Sequence, residues 1–160
     1  MLLKNKNNIF KFFGGDYMSL LWVSIFSLFL AQFLKIFFIR PINFYTFFTS
    51  GGMPSSHSSF VSSLAITVGL KYGFRSDLFA IVTVFALIVT YDASGVRRAV
   101  GQQANVLNNL VKHLEAKSFA TDKQLIKEDL KELIGHTPFE VFAGVLLGAL
   151  IALSNWYLFY

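Results

Sequence analysis

Between Tyr17 and Phe38 the chain runs for twenty-two residues with a single charge, Lys35, near the far end. A bilayer core takes about 20 mostly apolar residues per helix, so this segment is long enough to cross one. The rest of the chain agrees with a membrane setting. It is 54% hydrophobic and only 14% charged, where soluble domains carry roughly 25% charged residues. That excludes a disordered chain, which needs low hydrophobicity, and weighs against an ordinary soluble domain. At 160 residues one domain is expected. There is no Cys, so disulfides, thiolate catalysis and thiolate metal sites are ruled out. The net charge of +5 suits anionic lipid headgroups or phosphate. No basic run with interleaved aromatics points to nucleic acid.

Four spans are expected, at about 17–38, 54–70, 78–91 and 139–160. The second is short and rich in Ser and Thr, and hydropathy alone ranks it low. The last ends in an aromatic cluster suited to an interface. Ile42 to Phe48 is apolar but too short to cross. Lys4, Lys6 and Lys11 precede the first span and no small-residue cleavage site follows it, which reads as a retained signal anchor. Between the third and fourth spans, Val96, Val100, Leu107, Leu110 and Leu114 recur at helical spacing. They predict an amphipathic helix over about 96–118. A second is expected over about 122–134, with Gly135 as its C-cap. The fold class is therefore all-α, a small polytopic helix bundle with amphipathic surface helices, in one membrane domain. With four spans, Lys35–Arg40, Gly51–Ser59, Asp92–Arg98 and Gly135–Glu140 all meet on one membrane face.

Those segments hold the unusual polar chemistry. In Gly51-Gly52-Met53-Pro54-Ser55-Ser56-His57-Ser58-Ser59 the glycines permit a turn and Pro54 suits a first helical turn. The helix start, with its hydroxyls, can hold an anion, and His57 can exchange a proton near neutral pH. The plainer alternative is a capped helix start whose serines ease helix packing. In His136-Thr137-Pro138-Phe139-Glu140, Thr137 and Glu140 have capping-box spacing. Glu140 is also placed to orient the His136 imidazole, and the two readings stand side by side. Arg97 and Arg98 can grip a phosphate, anchor to headgroups, or pair with Asp92. Lys35 can hold phosphate or snorkel toward the interface. Glu140, Asp92 and the histidines lack a metal-ligand spacing, so neither a metal nor another cofactor is expected. His113 reads as a surface residue.

Lys35 and Arg40-Pro41, then Pro54-Ser55-Ser56-His57, then His136 with an acid four residues on, resemble the type 2 phosphatidic acid phosphatase and vanadium haloperoxidase superfamily. The segments YDASGVRRAVGQQANVLN and ELIGHTPFEVFAGVLLG look like its divergent bacterial and plant branch. The likeness runs from Lys35 to about Gly148. It implies a membrane-embedded phosphatase of the bacterial cytoplasmic membrane that hydrolyses a lipid phosphate monoester or pyrophosphate through a phosphohistidine. His136 would be the nucleophile, Glu140 its orienter and His57 the general acid. Lys35, Arg40, Ser55 and Ser56 would hold the phosphate. The superfamily has Ser-Arg just before its nucleophilic His; here that place is Asp129-Leu130. Arg97 or Arg98 would then supply the missing charge. The alternative is a non-catalytic protein of the same fold that binds an anionic lipid or a partner.

Overall fold

A computed structural model describes residues 20–38, 51–117 and 135–159. They form five helices: α1 (Leu20–Phe38), α2 (Ser56–Tyr72), α3 (Asp77–Ser94), α4 (Val96–Lys117) and α5 (Pro138–Phe159). No strand occurs among the described residues. Arg40, the Ile42–Phe48 segment, the N-terminal lysines and the helix expected over 122–134 lie outside them.

Among the described residues three stretches are long and apolar enough to cross a membrane: Leu20–Phe37, the run from Asp77 through α3 into α4, and Pro138–Phe159. Helix α2, at 17 residues and with a serine-rich first half, falls short of that measure. Its place in the bundle explains why. It packs against α1, α3 and α5, and ten of its residues are buried, Ser56, Ser58, Ser59, Ser62 and Ser63 among them. A helix shielded by three others needs little apolar surface of its own. The large apolar side chains sit on the outside instead: Phe26, Phe29 and Phe33 of α1, Ile81, Val84 and Leu87 of α3, Phe142, Leu146 and Leu150 of α5. Small residues inside and large apolar ones outside is the pattern of helices that associate in lipid, where packing and hydrogen bonds replace the hydrophobic drive.

The α2 hydroxyls hold that interior together. Ser27 of α1 donates to the Ser59 carbonyl at 3.0 Å, and the two hydroxyls stand 2.6 Å apart. Ser62 donates to the Val145 carbonyl of α5 at 3.1 Å and to its own Ser59 carbonyl at 3.2 Å. Thr67 bonds back to the Ser63 carbonyl at 2.7 Å. On the facing side of α5, Gly144 lies against the Ser55 carbonyl and Gly148 against Ser62 Oγ and the Ser59 carbonyl, so neither has room for a Cβ.

Local chemistry sets the helix ends. Ser55 caps α2, and its side chain accepts from the Ser58 amide. Pro54 therefore precedes the cap, where the sequence had suggested the first helical turn. The Ser55 hydroxyl can accept the orphan amide that proline cannot supply for. Ser76 caps α3 by accepting the Phe79 amide at 3.2 Å. The α2–α3 connection closes with the Phe74 and Phe79 rings edge to face, 5.1 Å apart. Gly95 separates α3 from α4, and its amide still donates to the Tyr91 carbonyl at 2.8 Å. In α4 the face of Gly101, Ala104 and Asn108 is buried, while Val96, Val100, Leu107 and Leu110 are exposed. The apolar stripe read from the sequence is thus turned outward, toward the side a bilayer can cover.

Candidate functional site

The site grows from the junction of α3, α4 and the start of α5. Gly135 has φ 92°, and a Cβ there would run into the backbone of Arg97 and Arg98. Only glycine meets both conditions without strain. With Gly135 seated on that junction, the His136 amide donates to the Ala93 carbonyl at 2.9 Å. Thr137 and Glu140 then form the capping box. The Thr137 amide donates to Glu140 Oε2 at 2.9 Å, and the Glu140 amide to Thr137 Oγ1 at 3.3 Å. A second backbone tie joins the two motifs: the Ser55 amide donates to the Glu140 carbonyl at 3.0 Å. The starts of α2 and α5 are therefore locked side by side.

His136 Nδ1 lies 3.3 Å from Glu140 Oε2, with the His136 side chain only 3% exposed. The cap and the imidazole thus share one carboxylate oxygen, and the two readings of Glu140 coexist in one geometry. With a proton on Nδ1, the ring donates to the carboxylate and its lone pair sits on Nε2. Burial and then the Lys35 charge push the His136 pKa below its ordinary value, against the opposing pull of Glu140. The neutral imidazole is the favoured form.

Lys35, in the last turn of α1, is 1% exposed. Its charge acts on Glu140, His136 and His57. It turns inward to this cluster and does not snorkel. His57, the second residue of α2, is exposed and lies within reach of the Arg97 and Lys35 charges and of His136. Arg97 Nε donates to Asp92 Oδ2 at 2.6 Å, with both side chains partly exposed. Lys35, His57, Arg97, His136 and Glu140 thus come together from four helices and the turn before α5. Arg98 contributes its backbone to the seat of Gly135, while the residue itself is exposed. Ser55 and Ser56 are buried to 1% exposure or less, and the Ser55 hydroxyl accepts from both the Ser58 amide and the Ser58 hydroxyl. His113 is a surface residue on α4, its Nδ1 2.8 Å from the Asn109 carbonyl. Among the described residues no group of three acids or histidines is placed to hold a metal.

Four contributors were not singled out from the sequence. Gly144 and Gly148, four apart in an apolar helix, carry the small-residue signature of close helix packing. Ser27 breaks an otherwise apolar run and could have been read as an interhelical donor on the same grounds. The Ala93 carbonyl has no sequence signal, because it acts through backbone alone.

Replacing Gly135 with alanine should cost about 2 kcal/mol from the backbone conformation alone, more with the clash against Arg97 and Arg98. The readout is the unfolding midpoint, together with faster hydrogen exchange at the His136 amide. Unchanged exchange would mean that the seat is not what holds His136.

These features define an all-α integral membrane protein with a buried histidine, paired to a half-buried carboxylate, beside a buried lysine. The chain belongs to the Divergent PAP2 family, whose pattern matches residues 18–151. It is 43% identical over 147 residues to a Bacillus subtilis (strain 168) protein named "Uncharacterized membrane protein YuiD", across 85% of this chain and 92% of that one. No solved structure matches it.

Proposed function

We propose that this protein is a membrane-embedded phosphatase of the bacterial cytoplasmic membrane that hydrolyses a lipid phosphate monoester or pyrophosphate. The observation that carries the reading is the pairing of buried His136 with half-buried Glu140 beside the buried Lys35. A neutral, oriented imidazole next to a fixed cation suits attack on a phosphoryl group. The His136 Nε2 lone pair bonds to phosphorus as the P–O bond to the leaving group breaks. Protonated His57 gives its proton to the leaving oxygen. Water then attacks the phosphohistidine, losing a proton to His57, and phosphate departs from His136. The transition state spreads charge over three oxygens. Lys35 and Arg97 offset it, with Arg40, Arg98, Ser55 and Ser56 as further candidates for phosphate contact.

A lipid substrate is favoured by the surroundings. A groove of about 830 Å³ between α3 and α5 is lined by Leu87, Ile88, Phe142 and Val145, with Asp92 and Pro138 also on its walls. An acyl chain suits such walls. A non-catalytic anion binder is the second reading, favoured by the absence of arginine at Asp129-Leu130.

The test is release of phosphate from lipid monophosphates and pyrophosphates by the purified full-length protein, with and without vanadate. Vanadate-sensitive turnover is expected. Vanadate binding without turnover on any of these substrates selects the second reading.

A further inference from the structure

We infer that Asp92 is a positioning residue: it holds the Arg97 guanidinium over the site, so that Arg97 acts as the phosphate-binding arginine. The inference rests on the phosphate-site reading above and assigns Asp92 a part that reading does not use.

The spacing is the first observation. Residues five apart on an unbroken helix point about 140° away from each other, and the favoured ion pairs are three or four apart. Asp92 and Arg97 meet because Gly95 interrupts the helix between them. The same interruption brings the Arg97–Arg98 backbone under Gly135 and turns the Ala93 carbonyl to the His136 amide. One junction therefore sets both the His136 backbone and the root of the Arg97 side chain.

The second observation is the atom used. Asp92 takes Nε. Among the described residues nothing engages the terminal Nη1–Nη2 edge, the other bidentate face of a guanidinium, which can meet phosphate oxygens. Arg97 already lies close enough to His57 for its charge to act there. Its side chain is 49% exposed, so without a tether it would spread over many rotamers and lose that freedom on binding. A partly exposed ion pair adds little to stability, which leaves anion affinity as the clean readout.

The charge of Asp92 makes the test one of sign. Removing an anion beside a phosphate site strengthens phosphate binding by simple electrostatics. Removing a tether weakens it. Orthovanadate and inorganic phosphate are titrated into the purified full-length parent, Asp92→Asn, Arg97→Ala and the double variant at one ionic strength, alongside thermal unfolding. Arg97→Ala should weaken vanadate binding roughly tenfold or more, the worth of one charged hydrogen bond. Asp92→Asn should weaken it severalfold with an unchanged unfolding midpoint. The double variant should bind no more weakly than Arg97→Ala, since Asp92 works through Arg97 and only the electrostatic gain from its removal remains. Unchanged or tighter binding by Asp92→Asn overturns the inference, as does an equal further loss in the Arg97→Ala background. If Arg97→Ala binds like the parent, the inference falls while the phosphate-site reading stands. If the parent binds neither anion, both fall.

Discussion

Replacing His136 with alanine should remove turnover on lipid phosphates by roughly 10³-fold or more, the scale seen when a nucleophile is deleted from a catalytic unit. It should also remove covalent labelling by a radiolabelled phospholipid. The protein should still fold, because the His136 amide, which alanine keeps, makes the bond to the Ala93 carbonyl. The pH dependence follows from burial. The nucleophile must be unprotonated, and the His136 pKa is held below its ordinary value, first by burial and then by Lys35. The acid limb of kcat/KM should therefore fall below the usual histidine range, about 6.5. On the proposed mechanism protonated His57 sets the alkaline limb; burial and then the Arg97 and Lys35 charges lower its pKa as well, so the bell should be narrow and lie on the acid side of neutrality. Turnover by His136→Ala equal to the parent would dismiss the nucleophile assignment. An acid limb at or above the ordinary histidine value would dismiss the account of its protonation.

Valine at Gly148 should destabilise the bundle by about 3 kcal/mol or more, at or beyond the usual cost of overpacking a core. A Cβ there meets Ser62 Oγ, the Ser59 carbonyl and the Ser63 amide, which lies 2.9 Å away. Two of those three are backbone atoms of α2 and cannot rotate aside. The α2–α5 pair must separate, which pulls Ser62 from the Val145 carbonyl. Leu150→Val, on the exposed side of the same helix, is the control and should change the unfolding midpoint little. Equal midpoints for the two variants would show that the glycine contact does not hold α5 to α2.

Some of this was legible because it is written in residue type and spacing. Thr137, Pro138 and Glu140 specify a capped helix start wherever they occur, and that start is present. The long apolar runs announce the outer helices, since lipid-facing surface must be apolar along its whole length. The inner helix is harder to read. Its Ser59 and Ser62 hydroxyls donate to carbonyls of α1, α2 and α5, and hydropathy scores each residue as though it met lipid alone. The cluster of His57, His136, Glu140 and Lys35 is legible through the family likeness. The orientation of Lys35 is not, because snorkelling and inward burial place the same residue at the same helix end. The Asp92–Arg97 pair depends on a break at Gly95 whose angle no periodicity gives. The hydroxyls of Ser55 and Ser56 looked free for phosphate. At the helix start itself, the nearest demand on a serine is the unsatisfied amide one turn ahead, and Ser55 meets it.

The buried, hydroxyl-rich α2 has a consequence for how the protein is made. A segment this rich in hydroxyls, with Ser59 and Ser62 reaching carbonyls of neighbouring helices, gains little by partitioning into lipid on its own. Emerging from the ribosome, α2 would stall at the translocon until a partner arrived. The short Gly73–Ser76 connection delivers one at once, because α3 is apolar and follows directly. The two enter as a hairpin, with α1 already in place to receive Ser59. Helix α5 comes last, and its two glycines close the bundle over a strand of serines that until then is open to lipid. Biogenesis of this chain is therefore cooperative across these helices: the serine-rich α2 borrows its membrane residence from the helices made before and after it.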